Sequence, residues 1–294
     1  MGPGLENDMA TYNPSRQVEI DIIDQEYRHD GQQPWPVRVY QPQGDGPFPA
    51  LLDVHGGAWN RGDLTSDEVM NRALAASGIV VAAVDFRLAP QHPYPAQVQD
   101  VNYAIRWLKA HATEFNADPL TVGGMGSSSG GHTLMLSAMR PKDSRYASLE
   151  LAGAPEIDAT VAYTVCCWPV LDPYARYLYA QESNNERLAA SSEAYFLDQD
   201  TMKEGNPQQI LERGEKVRLP TTLIVQGTRD DNVPLSIPQR FETAFRTAGG
   251  DIQVEYFMDM VHGFGNMPGP ESDRAIGMIK AFISRCLALT GAPA

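Results

Sequence analysis

Three serines, Ser127, Ser128 and Ser129, stand together in a glycine-rich loop within "TVGGMGSSSGGHTLML" (residues 121–136). A loop of this kind between a strand-like and a helix-like run serves one of two chemistries: it cradles a phosphate or it holds up one nucleophilic oxygen. Gly124, Gly126 and Gly130 make only a loose dinucleotide fingerprint. Several strand-like runs precede the loop, and "RPKDSRYASLE" after its helix is no strand ending in an acid. "SGGHT" lacks the lysine of a P-loop. The nucleophile pattern fits better, because Gly126-Ser127-Ser128-Ser129-Gly130 reads G-x-S-x-G and only Ser128 has glycines two before and two after. The bland alternative is that the serines cap the next helix.

A serine hydroxyl is a weak nucleophile until a base takes its proton, and the base needs an acid to orient it and steady its charge. With a strand-to-helix elbow these partners follow in the order Ser, Asp or Glu, His. "LIVQGTRDDNVP" puts Asp230 just past a strand-like run, and "YFMDMVHGFGN" puts His262 just past the last one. Asp231 is the alternative acid; Asp259 and Glu255 are more distant choices. His29, His55, His92, His111 and His132 lack the late loop position that the order demands. The third requirement is a set of N–H donors for the developing oxyanion. "DVHGGAWNRG" supplies Gly57 and Ala58 after an early strand, where glycine lets backbone approach a substrate closely; Ser129, next to the nucleophile, supplies a third N–H.

These residues need a scaffold that brings strand ends to one edge. "ALLDVHGG", "IVVAAVDF", "LTVGGMG", "VAYTVCCW" and "TTLIVQG" are short continuous apolar runs, the form of strands buried on both faces. Val98, Val101, Ile105 and Leu108 step by three and four, which predicts a helix with one apolar stripe. Thr65 and Glu68 have capping-box spacing before a helix that stops at Gly78. Two alternating stretches, Val18 to Ile23 and Pro36 to Pro42, open the chain as a meander, and "AIGMIKAFISRCLAL" closes it as an amphipathic helix. Strands alternating with helices predict an α/β fold, a mostly parallel eight-stranded sheet with helices on both faces. Residues 17–294 form one domain on this reading, 1–16 are disordered, and the tyrosine-rich tract 172–214 is a short cap insertion. Trp59, Trp168, Tyr174 and Tyr177 are candidates to line the substrate pocket, with ordinary packing as the bland reading.

The 294 residues carry a formal net charge of −14, which opposes a nucleic-acid partner or an anionic membrane surface. No apolar run approaches the ~18 residues of a membrane span, and no basic-then-apolar leader opens the sequence. The three cysteines, Cys166, Cys167 and Cys286, form no disulfide framework. A cytoplasmic protein is expected, with a homodimer left open. No His-Glu-x-x-His or close His/Asp cluster points to a metal.

Four stretches, "HGGAW" (55–59), "DFRLAPQHPYPA" (85–96), "GSSSGGH" (126–132) and "HGF" (262–264), resemble the hormone-sensitive-lipase-like carboxylesterases of the α/β-hydrolase superfamily. Ala58 stands where that family has a third glycine, as in formamidase-like hydrolases; Ser127 and Ser129 stand where it favours Asp and Ala. "GTRDDNVP" is more similar to the acid loop of prolyl-oligopeptidase-type peptidases. The resemblance implies hydrolysis of carboxylic esters with small to medium acyl groups, without a cofactor, through a covalent acyl-enzyme. An amidase, formamidase or peptidase with the same triad is the alternative. A non-catalytic small-molecule-binding hydrolase fold is the remote one.

Overall fold

The computed structural model describes residues 12–290. An antiparallel pair, β1 (Ile20–His29) and β2 (Pro34–Pro42), opens the chain; β3 (Ala50–Val54), α1 (Glu68–Ala75), β4 (Val80–Val84) and α2 (Ala96–His111) follow. Next come β5 (Gly123–Ser127), α3 (Ser129–Met139) and β6 (Thr164–Cys167). Four short helices, α4 (Pro173–Glu182), α5 (Glu186–Phe196), α6 (Gln199–Glu204) and α7 (Pro207–Glu212), separate β6 from β7 (Thr222–Gly227). The chain closes with α8 (Ser236–Thr247), β8 (Ile252–Phe257) and α9 (Pro270–Thr290).

The eight strands form one sheet in the order β1-β2-β4-β3-β5-β6-β7-β8, parallel from β4 to β8. Every residue of β3, β4, β5, β6 and β7 is buried, as continuous apolar runs require. Helices α2 and α3 cover one face through Val101, Ile105, Leu108 and Leu134. The other face is covered by α1 and α9 through Leu74, Ile276, Ile279 and Phe282. Parallel order places the carboxyl ends of β3, β5, β7 and β8 on one edge, so the loops after them share one side of the molecule.

Two local expectations need correction. Thr65 and Glu68 form no capping box: the Thr65 hydroxyl donates to Asp63, and the residue preceding the helix is Asp67. Of the segment 1–16, residues 1–11 lie outside the described residues, while the Tyr12 hydroxyl meets Ser77 Oγ at 2.9 Å and Val18 N–H bonds Ala76 O at 2.8 Å. Cys166 and Cys167 sit on opposite faces of β6, buried and unpaired, and burial pushes the Cys166 thiol up to about 12. Among the described residues no helix is long and apolar enough to cross a membrane.

Candidate active site

The turn from β5 into α3 explains why its composition is so constrained. Ser128 sits at φ 52° and ψ −116°, a left-handed backbone that is costly for any residue with a Cβ. Two bonds from the end of β6 hold it there: Ser128 N–H to Cys167 O at 2.9 Å and Val170 N–H to Ser128 O at 3.0 Å. A Cβ on Gly130 would lie 2.0 Å from Val54 O, and one on Gly126 would lie 2.7 Å from Gly130 O. The two glycines therefore exist to let the elbow press against β3 and against itself.

His262, in the loop after β8, reaches this serine. Its Nε2 stands 2.9 Å from Ser128 Oγ, and its Nδ1–H donates to Asp230 Oδ2 at 2.8 Å. Asp230 follows β7 and is buried, with both oxygens occupied. Oδ1 accepts the N–H groups of Asn232 and Val233 at 2.9 and 2.7 Å, and Oδ2 also accepts from Gln226 Nε2 at 2.9 Å. Asp231 is exposed, so the geometry brings Asp230 and not its neighbour to the histidine. The other histidines play different parts. His55 is buried, stacks on Phe86 at 4.2 Å and donates to Gly56 O; burial lowers its pKa to about 4, so it is neutral.

Gly57 and Ala58 line the same cleft as Ser128 and His262, a space of about 330 Å³. Neither N–H has an acceptor among the described residues, and Ser129, as the first residue of α3, has none within its helix. The loop is strained: Gly57, Ala58 and Trp59 all have positive φ, at 116°, 51° and 64°. Four bonds gather on Trp59 to hold that shape. Its N–H donates to Ser129 Oγ at 3.2 Å, its carbonyl accepts from Ala89 N–H at 3.0 Å and Gln97 Nε2 at 2.6 Å, and its indole N–H donates to His132 Nδ1 at 3.1 Å. The other nitrogen of His132 donates to Gly205 O, between α6 and α7, at 2.7 Å.

The model of the BD-FAE family matches residues 37–245. This chain belongs to the BD-FAE family. It is similar to carboxylesterase NlhH of Mycobacterium tuberculosis, 27% identical over 93% of this chain and 85% of that protein. It is also similar to esterase LipC of the same organism, 28% identical over 81% of this chain and 59% of LipC, so less than two thirds of LipC is spanned. Among solved structures, a hyperthermophilic esterase of Pyrobaculum calidifontis superposes with a TM-score of 0.73 at 24% identity, covering 92% of this chain and 87% of the other. Esterase 2 of Thermogutta terrifontis, phosphorylated by paraoxon, gives 0.72 at 22%, covering 93% and 96%. At that identity the two structures establish the α/β-hydrolase fold.

In this BD-FAE member only one of the four aromatic pocket candidates reaches the cleft. Trp168 lines it, edge-on to His262 at 6.4 Å. Trp59 is buried beneath the helices α4 to α7, stacked on Tyr195 at 5.2 Å, and anchors the Gly57–Ala58 loop. Tyr177 bonds Glu193 and Tyr174 bonds Gln199, both within the cap and outside the cleft lining. A larger depression of about 630 Å³ bordered by Leu211, Val217, Leu219 and Ala244 shares no residue with the triad cleft.

Sequence reasoning missed Asp67 altogether. Its Oδ2 accepts from Ser127 Oγ at 2.6 Å and its Oδ1 from Asn266 Nδ2 at 2.7 Å, tying the elbow to the segment that follows His262. Burial pushes this carboxyl up to about 6, and burial together with the charge of Asp67 raises neighbouring Asp53 well above its usual range. The departure at Ser127 thus has a partner: an acid expected on the elbow arrives from the start of α1. The one signal that could have exposed it is an acid just before an apolar helix with no capping partner.

Proposed function

We propose that this BD-FAE member is a serine carboxylesterase that cleaves esters with small to medium acyl groups through a covalent acyl-enzyme. The observation that carries the reading is the unbroken chain Ser128 Oγ, His262 Nε2, His262 Nδ1, Asp230 Oδ2, at 2.9 and 2.8 Å, opening into one cleft beside Gly57 and Ala58. Ser128 attacks the ester carbonyl while His262 takes its proton; the carbonyl π pair moves onto oxygen as the tetrahedral adduct forms. The N–H groups of Gly57, Ala58 and Ser129 hold that oxyanion. His262 returns the proton to the departing alkoxide and then activates water, which attacks the acyl-serine and frees the acid. Asp230 keeps the imidazole in the tautomer that can accept from serine and faces the imidazolium charge when it forms. The esterase names of the relatives and the size of the cleft, within the usual range for small-molecule sites, support ester over protein substrates. The unpaired cysteines support a reducing compartment such as the cytoplasm.

A fluorophosphonate probe tests the assignment. It is expected to modify wild type and to leave Ser128→Ala unmodified; an undiminished adduct on the variant refutes Ser128. p-Nitrophenyl esters of increasing acyl length, run beside matched anilides, test the bond cleaved, and turnover confined to the anilides refutes the esterase reading.

A further inference from the structure

Arg61 lines the triad cleft, Arg187 and the buried Arg176 stand near enough for the three charges to act on one another, and no carboxylate pairs with any of them among the described residues. Arg61 lines the cleft three positions beyond Ala58. Arg187, exposed on α5, stands near Arg61: Asn60 Nδ2 donates to Ser191 Oγ at 3.1 Å, Ser191 lies one turn on from Arg187 on the same helix face, and the Arg187 charge acts on Arg61. Arg176, on α4, is fully buried behind them, its guanidinium 5.5 Å from the Trp59 ring. Its bonds go only to neutral oxygens, Ser192 Oγ at 3.3 Å and Asn232 Oδ1 at 2.9 Å, and its Nε has no partner.

The nearest acids have donors of their own: Asp67, which lines the same cleft, accepts from Ser127 and Asn266. Asp63 accepts from Thr65, Glu193 accepts from the Tyr177 hydroxyl, and Asp230 has the four donors already named. Burial first, then Arg187 and Arg61, lower the Arg176 pKa to about 9; burial and Arg187 lower that of Arg61. The three cations therefore repel one another, in a chain whose net charge is −14 and in which many arginines, Arg38, Arg87 and Arg140 among them, meet carboxylates. Cations left uncompensated at the rim of a cleft concentrate field where an anion would enter. With its Oδ1 committed to Arg176, Asn232, which lines the cleft, offers only its amide donor there.

We infer that the substrate is an ester bearing a carboxylate, which Arg61 and Arg187 bind at the cleft mouth with the Asn232 amide as a neutral donor, over the buried charge of Arg176. This inference rests on the esterase reading. Arginine suits the task because its planar fork meets both oxygens of a carboxylate.

The test uses two matched pairs: monomethyl against dimethyl glutarate, which places the charge on the acyl side, and 4-acetoxybenzoate against its methyl ester, which places it on the alcohol side. The readout is the ratio of kcat/KM for the charged over the neutral member, which cancels any loss of folded enzyme in a variant. Wild type is expected to favour the charged member of at least one pair by about tenfold at low salt, with the preference shrinking at about 0.5 M salt as screening sets in. In Arg61→Gln and Arg187→Gln the ratio is expected to fall toward one, through KM, with Arg61→Lys in between. A wild-type preference for the neutral member in both pairs, or a ratio that neither glutamine variant changes, overturns the inference and leaves the esterase reading standing. Failure to cleave any of the four overturns both.

Discussion

His132 is neutral in the fold, and that neutrality has a measurable consequence. Burial lowers its pKa from 6.5 to about 4, while its Nδ1 must stay unprotonated to accept the Trp59 indole N–H. Between these two values the unfolded chain binds a proton that the folded chain refuses, so stability falls as pH drops through the window. At pH ~4.5 the unfolded ring is about two units below its titration point and the folded ring is still mostly neutral. His132 alone then costs about 2.5 kcal/mol relative to neutral pH. In His132→Gln the amide offers one acceptor and one donor but never titrates. At pH ~7.5 the variant should be less stable than wild type by about 1–3 kcal/mol, because the bonds to Trp59 and Gly205 are remade imperfectly. At pH ~4.5 that gap should close by about 2.5 kcal/mol. His55, Asp53 and Asp67 titrate in both proteins and cancel from the difference. Urea unfolding followed by tryptophan fluorescence reads the gap at each pH. A gap that stays constant, or widens in acid, refutes the reasoning.

Three further outcomes are expected. Asp230→Asn should lower kcat by about 10⁴, since it removes the acceptor that fixes the His262 tautomer, and should cost about 1–3 kcal/mol of stability, since it leaves the Gln226 amide donor without an acceptor; steady-state kinetics on a p-nitrophenyl ester and a urea midpoint check it. Gly130→Ala puts a Cβ 2.0 Å from Val54 O and should cost about 3 kcal/mol or more, read as loss of soluble folded protein or a lowered urea midpoint. Ser127→Ala removes a bond that favours only the ionised form of Asp67, whose pKa is about 6, so its destabilisation of about 1–3 kcal/mol should be full at pH ~8 and mostly gone at pH ~5. A penalty of equal size at both pH values would count against that role for Asp67.

The sheet was legible because burial on both faces leaves one kind of record, a short unbroken apolar run bounded by turn residues. That Ser128, Asp230 and His262 come together was legible for a related reason: a parallel sheet delivers its loops to one edge in a fixed order, so Asp230 and His262 could be selected by position alone. The cap resisted reading. Its four helices are short and their sequences mostly polar, so what Tyr174 and Tyr177 face is decided by contacts among the helices and not by periodicity. Trp59 was misplaced for another reason. A tryptophan beside two glycines reads equally well as pocket wall or as anchor, and the difference lies in His132 and Tyr195, distant in sequence. Asp67 escaped because its partners, Ser127 and Asn266, are 60 and 199 residues away.

The bond from Gly205 through His132 to Trp59 means that the helices α4 to α7 and the Gly57–Ala58 loop, to which we assign the oxyanion, are not separable modules. Exchanging this cap for a relative's, a natural way to redirect such an enzyme toward a bulkier ester, would disturb the groups that lower the barrier along with those that choose the substrate. The rim offers a freer handle. Arg61 and Arg187 make no bond through their side chains to the rest of the described fold, so selectivity can be rewritten there one residue at a time while the catalytic frame stays in place.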